Sequence, residues 1–440
     1  MKRFIYSLII ASLVIFTSCE KILEVEPTYY ISGEEAITDQ RGVETALIGA
    51  YNGLQAVGCY GRHLVSIPDL YADNLDWKGT TQEYGQFENH TLLSDNTIVE
   101  AIWGDHYVVL NRVNNVLHKL PEISDMTAAE KENVAAQLYF IRALAHFNLV
   151  RLFGPVPIKT EPTLDLSSNL NVARNTVEDV YTSIHSDLSL AEGKLSGSNS
   201  YFATNGAVLA LQALVALYNN DYETAKTKSS EVIVNGGYSL ETDFASLFIG
   251  DPVDESIFTI VFDEQNGNRL AEYFYPTSEG GRYEFAPTES ILGSFEETDS
   301  RWEASIQGEP PYCSKYNDLV TMANNVHVIR LAEMYLLRAE AETRMSGSKA
   351  SIRNDINIIR ERALLEPIEF DTYEELLLAI EDERRREFAF EGKRWFELVR
   401  TGRALEVLET VSNSNQLLFP IPSVEIQNNT NPGMYQNPGY

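Results

Sequence analysis

Apolar residues recur at helical spacing along most of this chain. Val43, Leu47, Ala50, Tyr51 and Leu54 fall on one side of a helix that begins near Asp39. Ile98, Ile102, Val109, Val113 and Leu117 mark a second, stopped by Pro121. A third runs from Ala128 to about Phe153, with Thr127 and Glu130 as a capping box and Gly154-Pro155 at its end. Val177, Val180, Ile184 and Leu188 carry a fourth within 175–191. Ala207–Tyr218 and Tyr222–Val234 then form a pair around the turn Asn219-Asn220-Asp221, closed by Gly236-Gly237. Small residues at Ala210, Ala213 and Ala225 let the two helices approach closely. This unit, roughly 34 residues long, resembles a tetratricopeptide repeat. A second unit runs from about Val328 through Thr343, across Gly347, and on through Ile352 to Arg362. The spacing predicts further, degenerate pairs: 98–120 with 128–153, and 175–191 with 373–400.

The predicted fold class is therefore mostly α, a body over 38–440 built of TPR-like helical pairs at about 38–56, 98–153, 175–235 and 328–400. An array of hairpins needs about three or more units to bury a continuous core. Two stretches break the period, 57–96 and 240–320. The first holds Gly58, Gly61, Pro68, Gly79 and Gly85 and reads as a long ordered loop. The second mixes short β-like runs, such as Ile257–Phe262, with Gly, Pro and many rings.

The N-terminus follows a different rule. Lys2 and Arg3 precede an apolar run from Phe4 to Phe16, interrupted only by Ser7 and Ser12, and Thr17-Ser18-Cys19 follows. This order is that of a secretory leader over 1–18. The run is shorter than the ~20 residues that span a bilayer. A cysteine in this position reads as the lipidated first residue of the mature chain, followed by a tether over 19–37. Acyl chains on Cys19 would hold a soluble body at a membrane without a spanning helix.

The formal charge is −30 over 440 residues, and removal of the leader takes away two positive charges and no acid. So acidic a chain is a poor partner for nucleic acid or anionic lipid. Besides Cys19 there are only Cys59 and Cys313; the sequence leaves their pairing open, and a disulfide is not favoured. The seven histidines are scattered, and no HExxH, GxSxG or Walker pattern occurs. The reading is of a protein with no metal site and no cofactor. Along 373–403, Leu377, Arg384, Phe388, Glu391, Trp395 and Leu398 fall on one side of a helix. Charges in an apolar stripe need opposite partners, so this predicts a structural ion-pair network and not an acid–base couple at Glu387 or Glu391.

Rings are the more informative signal. The chain has 23 Tyr, 19 Phe and 4 Trp. Trp103 and Trp395 sit in helical patterns and belong to the core. Tyr273, Phe274, Tyr275, Tyr283, Phe285, Trp302, Tyr312 and Tyr316 crowd the second irregular stretch, and Trp77 stands in the first among Asp69, Asp73, Asn74, Asp76 and Lys78. Flat rings flanked by amides and carboxylates suit sugars, which offer apolar C–H faces and many hydroxyls. Trp77, Tyr275, Tyr283 and Trp302 are the candidate stacking rings, with Asp73 and Asn74 as hydroxyl partners. For Trp77 the competing reading is packing of its loop onto the scaffold.

Four segments carry a resemblance to a known family. They are Glu383-Arg-Arg-Arg-Glu-Phe-Ala-Phe-Glu-Gly-Lys-Arg-Trp-Phe-Glu-Leu-Val-Arg400, the ending Leu418–Ile426 with Gln436–Tyr440, Arg142–Pro157, and the helix Arg330–Ala341. In their order along the chain, and with the cysteine-led N-terminus, these segments resemble the SusD/RagB family of Bacteroidetes outer-membrane nutrient-binding lipoproteins. The resemblance implies four TPR-like helical pairs carrying an irregular ligand-binding part. It also implies a lipid anchor at the cell surface, a SusC-like TonB-dependent transporter as partner, and capture of a glycan without hydrolysis. The matching motifs are structural and leave the ligand open. Two other readings remain beside glycan uptake: a TPR-type protein-interaction scaffold, and a carbohydrate-active enzyme.

Overall fold

The computed structural model describes residues 36–164, 170–197, 199–249 and 253–440; the leader and Cys19 lie outside them. Helix α1 (Gln40–Gly53) starts where the Asp39 carboxylate accepts the Gly42 amide at 2.8 Å, and buries Val43, Leu47, Ala50 and Tyr51. Helix α2 is His63–Leu70 and α3 is Gln82–Glu88. Asn96 caps α4 (Thr97–Lys119), which packs on α1. The expected capping box opens α5 (Ala128–Phe153): the Glu130 amide donates to Thr127 Oγ1, and the Thr127 amide to Glu130 Oε2 at 2.8 Å. From Leu138 onward α5 is buried nearly all round, because α4, α6 (Val177–Ala191) and α7 (Asn205–Tyr218) surround it.

Helix α7 and α8 (Tyr222–Asn235) form the predicted hairpin, with Ala210, Ala213 and Ala225 fully buried at the close approach. Helix α8 packs directly on α10 (Leu331–Arg344), α10 on α11 (Lys349–Arg362), and both on α12 (Tyr373–Glu387). The stack is thus continuous across the excursion between residues 236 and 330. That excursion contains the short helix α9 (Leu270–Phe274). It is closed by strand β2 (Ser256–Ile260), which pairs antiparallel with β6 (Val326–Arg330) immediately before α10.

Three expectations are corrected. The stretch 57–96 is not a loop throughout, since α2 and α3 lie in it. All eight residues of α2 are buried, so it has no polar face and leaves no amphipathic period, and Pro68 sits inside it. The segments 175–191 and 373–400 do not pair: α6 packs on α5 and α7, and α12 on α10 and α11. Residues 373–403 are not one helix, because α12 stops at Glu387 and α13 (Arg394–Arg400) restarts after a turn. That turn is set by close packing. Gly392 has φ +72°, and a Cβ there would lie 1.9 Å from the Leu64 carbonyl oxygen.

Two further seams tie the irregular parts together. Strand β1 (Leu75–Trp77) pairs antiparallel with β3 (Phe285–Pro287), Trp77 opposite Phe285. A short hairpin, β4 (Ile306–Gln307) with β5 (Tyr312–Cys313), packs beside β3. Cys59 and Cys313 are separate buried thiols.

Candidate functional site

The β1–β3 seam brings the two irregular stretches, some two hundred residues apart in sequence, onto one surface. Beyond Trp77 the pairing continues as the Lys78 amide donates to the Glu284 carbonyl at 3.0 Å. The chain before β3 doubles back on itself: the Tyr283 amide donates to the Tyr275 carbonyl at 2.9 Å, and the Glu284 amide to that of Tyr273 at 2.9 Å. Tyr275 and Tyr283 are therefore neighbours at the base of the 276–282 turn, and both are half-buried. Tyr275 leans on Tyr312 with ring centroids 4.4 Å apart. Tyr283, held at φ +54°, donates its hydroxyl to the Pro311 carbonyl at 3.0 Å. Burial, then neighbouring Tyr312, pushes the Tyr275 hydroxyl up to about 12.

Trp77 is half-buried and held from three sides. Its amide donates to Glu88 at 2.9 Å, its indole Nε1 points to Glu284 Oε2 at 3.4 Å, and its ring lies on Gly85. A Cβ at Gly85 would come 2.7 Å from the ring. Glu284 is the buckle of this surface. It is 1 % exposed, accepts from Thr81 Oγ1 at 3.1 Å and Arg282 Nη2 at 3.3 Å, and leaves no room for a Cβ at Gly79. Nearby, Tyr273 lies between the guanidinium groups of Arg62 and Arg282, at 3.8 and 4.8 Å from its ring centroid. Nothing in the sequence marks Glu284 or Arg62, because each acquires its role from a partner some two hundred residues away, and Arg282 joins them only through the turn that brings Tyr273 and Glu284 together.

The remaining candidates are placed differently. Asp73 is ion-paired to Arg394 at 2.7 Å and Arg385 at 3.0 Å. Burial would raise its carboxyl, but Arg394 and then Arg385 outweigh that and hold it below the usual range. Asn74 is 1 % exposed, donates to Asp69 at 2.5 Å and accepts from Arg385 Nε at 3.0 Å. In this structure Asp73 is engaged with the C-terminal block and Asn74 with both that block and Asp69, so both act as internal partners. Asp76 and Lys78, paired at 3.0 Å on the open side, are the accessible polar groups flanking Trp77. Trp302 stands apart from the other rings, edge-on to Phe295 at 5.7 Å, in a separate cleft of 860 Å³ that also has Asp243, Glu296 and Glu303 in its walls. Most other rings of the 240–320 stretch are core: Tyr273, Phe274, Phe285, Tyr312 and Tyr316 are all buried. So are Trp103 and Trp395, as their helical patterns require.

The carboxylates of the C-terminal block are locked in the predicted ion-pair network. Glu387 accepts from Arg301, Arg330 and Arg362, and Glu391 from Arg330 and Lys315. Burial pushes the Glu391 carboxyl up, but Arg330 and Lys315 prevail and hold it at about 2. Glu391 reaches them from the turn after α12, not from a helix face. Both groups are buried and fully paired, an arrangement suited to holding α10, α11 and α12 together and not to moving protons.

Comparison with known proteins yields two family models, one described as "SusD family" over residues 312–409 and one as "Starch-binding associating with outer membrane" over 23–217. SusD-like protein P38 of Formosa agariphila is 27% identical over 498 residues, covering 96% of this chain and 97% of its own. Starch-binding protein SusD of Bacteroides thetaiotaomicron is 25% identical over 442 residues, covering 73% of this chain and 75% of its own. Among solved structures, a laminarin binding SusD-like protein superposes with a TM-score of 0.82 at 26% identity, over 92% of this chain and 100% of that one.

Proposed function

This chain belongs to the SusD/RagB family, and from that premise we propose that it binds a neutral oligosaccharide or polysaccharide at the cell surface and delivers it to a TonB-dependent outer-membrane transporter. What supports the reading is the β1–β3 pairing, which sets the half-buried Trp77 on a strand beside the turn that holds the half-buried Tyr275 and Tyr283. Ring faces cover the apolar face of a pyranose, and Asp76, Lys78 and Arg282 offer polar contacts at the edge. Hydrogen bonds to hydroxyls gain little over water on their own, so the rings supply the affinity and the polar groups the orientation. The charge of −30 favours a neutral glycan over an acidic one. Relatives named for starch and for laminarin support starting with glucans.

In this reading Cys19 is lipidated and anchors the protein in the outer membrane, and a SusC-like barrel is its partner. The chain is a binder and not an enzyme: the acids nearest to a catalytic pattern, Glu387 and Glu391, are those locked in the core network. A repeat-only scaffold would have no use for rings braced by a dedicated buried carboxylate. The test is a glycan array with the mature chain carrying Cys19→Ala, including starch, laminarin and acidic polysaccharides. Retention of a neutral glycan is expected. Binding of none, or of acidic polymers alone, overturns the reading.

A further inference from the structure

A pocket of 310 Å³ lies along α12 and α13, and neither the three braced rings nor Trp302 lines it. Leu377, Leu378 and Ile380 of α12, with Phe388 just beyond, give it apolar walls. Its charged lining runs against the character of the whole protein: seven Arg and Lys side chains against four Glu, in a chain of net charge −30. Most of these cations are spent. Arg394 and Arg385 hold Asp73, Arg403 holds Glu381 and Glu406, and Lys393 holds Glu333. Arg400 gives its two Nη groups to Glu340 and Glu397, and its Nε has no partner.

Arg384 is the exception that matters. It is 3 % exposed, and its Nη2 goes to Glu397 at 2.6 Å and Glu333 at 3.3 Å. Its Nε and Nη1 are buried with no partner. A guanidinium cannot shed its charge, and a buried donor left unmade is costly. Unspent donors among apolar walls form a site for a group that carries negative charge on a hydrocarbon body.

We propose that this pocket binds a carboxylate attached to an apolar group, the chemistry shared by a short fatty acid and by the C-terminal residue of a peptide. The carboxylate takes the free donors of Arg384 and Arg400, and the alkyl part lies against Leu377, Leu378 and Phe388. The volume is at the small end of ligand pockets, which suits one side chain or a short acyl tail. Glu374 in the lining disfavours a second negative charge on the ligand.

The test is calorimetry on the mature chain carrying Cys19→Ala, at pH 7, with octanoate, N-acetyl-leucine, octanamide and sodium sulfate as probes. At least one of the two carboxylates binds, with octanamide and sulfate weaker by about tenfold or more, the scale of a charge-assisted hydrogen bond. Octanoate alone points to an acyl source and N-acetyl-leucine alone to a peptide end. Leu378 is 47% exposed, so Leu378→Glu keeps the fold by circular dichroism while placing a carboxylate at the wall; it weakens the bound probe by about tenfold or more. The proposal is overturned by no binding of either carboxylate up to about 10 mM, by octanamide binding as well as octanoate, by sulfate binding alone, or by a folded Leu378→Glu variant that binds as the parent does.

Discussion

Replacing Gly85 by alanine tests the ring surface without touching any group that meets the ligand. Gly85 lies in α3 with an ordinary helical backbone, so alanine is conformationally welcome there and gains up to about 1 kcal/mol of helix propensity. The new Cβ, however, would sit 2.7 Å from Trp77 Cζ3 and 2.9 Å from Cε3. Carbon atoms rest at about 3.5–4.0 Å, so the indole must move by roughly 1 Å. It is tethered at its amide by Glu88 and at Nε1 by Glu284, so the ring tilts away from its resting orientation on the surface. A misfit on that scale forfeits a quarter to a half of the contact energy, about 1 kcal/mol or roughly fivefold in affinity. Complete removal in Trp77→Ala costs about 2 kcal/mol, roughly thirtyfold, if the ring is a main anchor.

The assay is a double-mutant cycle by calorimetry, using the neutral glycan identified on the array. Gly85→Ala should weaken binding in the parent and do nothing further in a Trp77→Ala background, while its midpoint in urea stays near that of the parent. Equal losses in both backgrounds would mean that Gly85 acts through the fold. A Gly85→Ala variant that binds like the parent, beside a Trp77→Ala variant that does not, would refute the tethered-ring argument.

Four other outcomes follow, three from the structure and one from the N-terminal sequence. Tyr275→Ala and Tyr283→Ala should each cost about 1–2 kcal/mol in glycan affinity with the fold retained by circular dichroism, and two folded variants that bind normally would confine the site to Trp77. Glu387→Gln leaves Arg301, Arg330 and Arg362 short of one charge and should lower stability by about 3–5 kcal/mol in urea titration; a loss below about 1 kcal/mol would deny the network its structural role. Glu391 is held at about 2 in the folded protein against an ordinary 4.5, so its contribution is complete above about pH 4.5 and disappears as pH falls toward 2; a Glu391→Gln variant should therefore have a flatter stability profile over that window than the parent. Cys19→Ala should move the protein from the membrane to the soluble fraction, and retention with membranes would sink the lipid-anchor assignment.

How legible each part was depends on the range of the interactions that shape it. Helices α1 and α4 each have one face toward the core, so the 3.6-residue period writes them into local sequence, while α5, buried nearly all round from Leu138, is marked instead by its Thr127–Glu130 capping box and Gly154-Pro155 stop. Helix α2 is buried on every side, and its period vanishes for that reason. The ring-rich stretch offered many aromatic residues with nothing to tell a core ring from a surface one. Burial there is decided by the pairing of β3 with β1 and by the β4–β5 hairpin, contacts that no local pattern announces. The internal pairing of Asp73 and Asn74 is hidden for the same reason: they look like solvent-facing loop residues, yet the arginines that hold them, Arg385 and Arg394, lie more than three hundred positions away.

Those long-range partners link the scaffold to the site. Arg385 and Arg394 belong to the segment that most strongly carries the family resemblance, and they grip Asp73 and Asn74 immediately before β1. Gly392, in the same segment, donates its amide to Asp69 and packs on the backbone of Leu64, which fixes α2. The C-terminal block therefore sets the position of the strand that carries Trp77, and Glu284 then locks that strand to the one beside Tyr283. The arginines act on the Asp73 carbonyl and on the side chains of Asp73 and Asn74, and they make no bond to the side chains at 76–78 or 275–283. If the proposed site holds, recognition is set by the side chains at 76–78 and 275–283, and affinity by how firmly the block behind them holds them still.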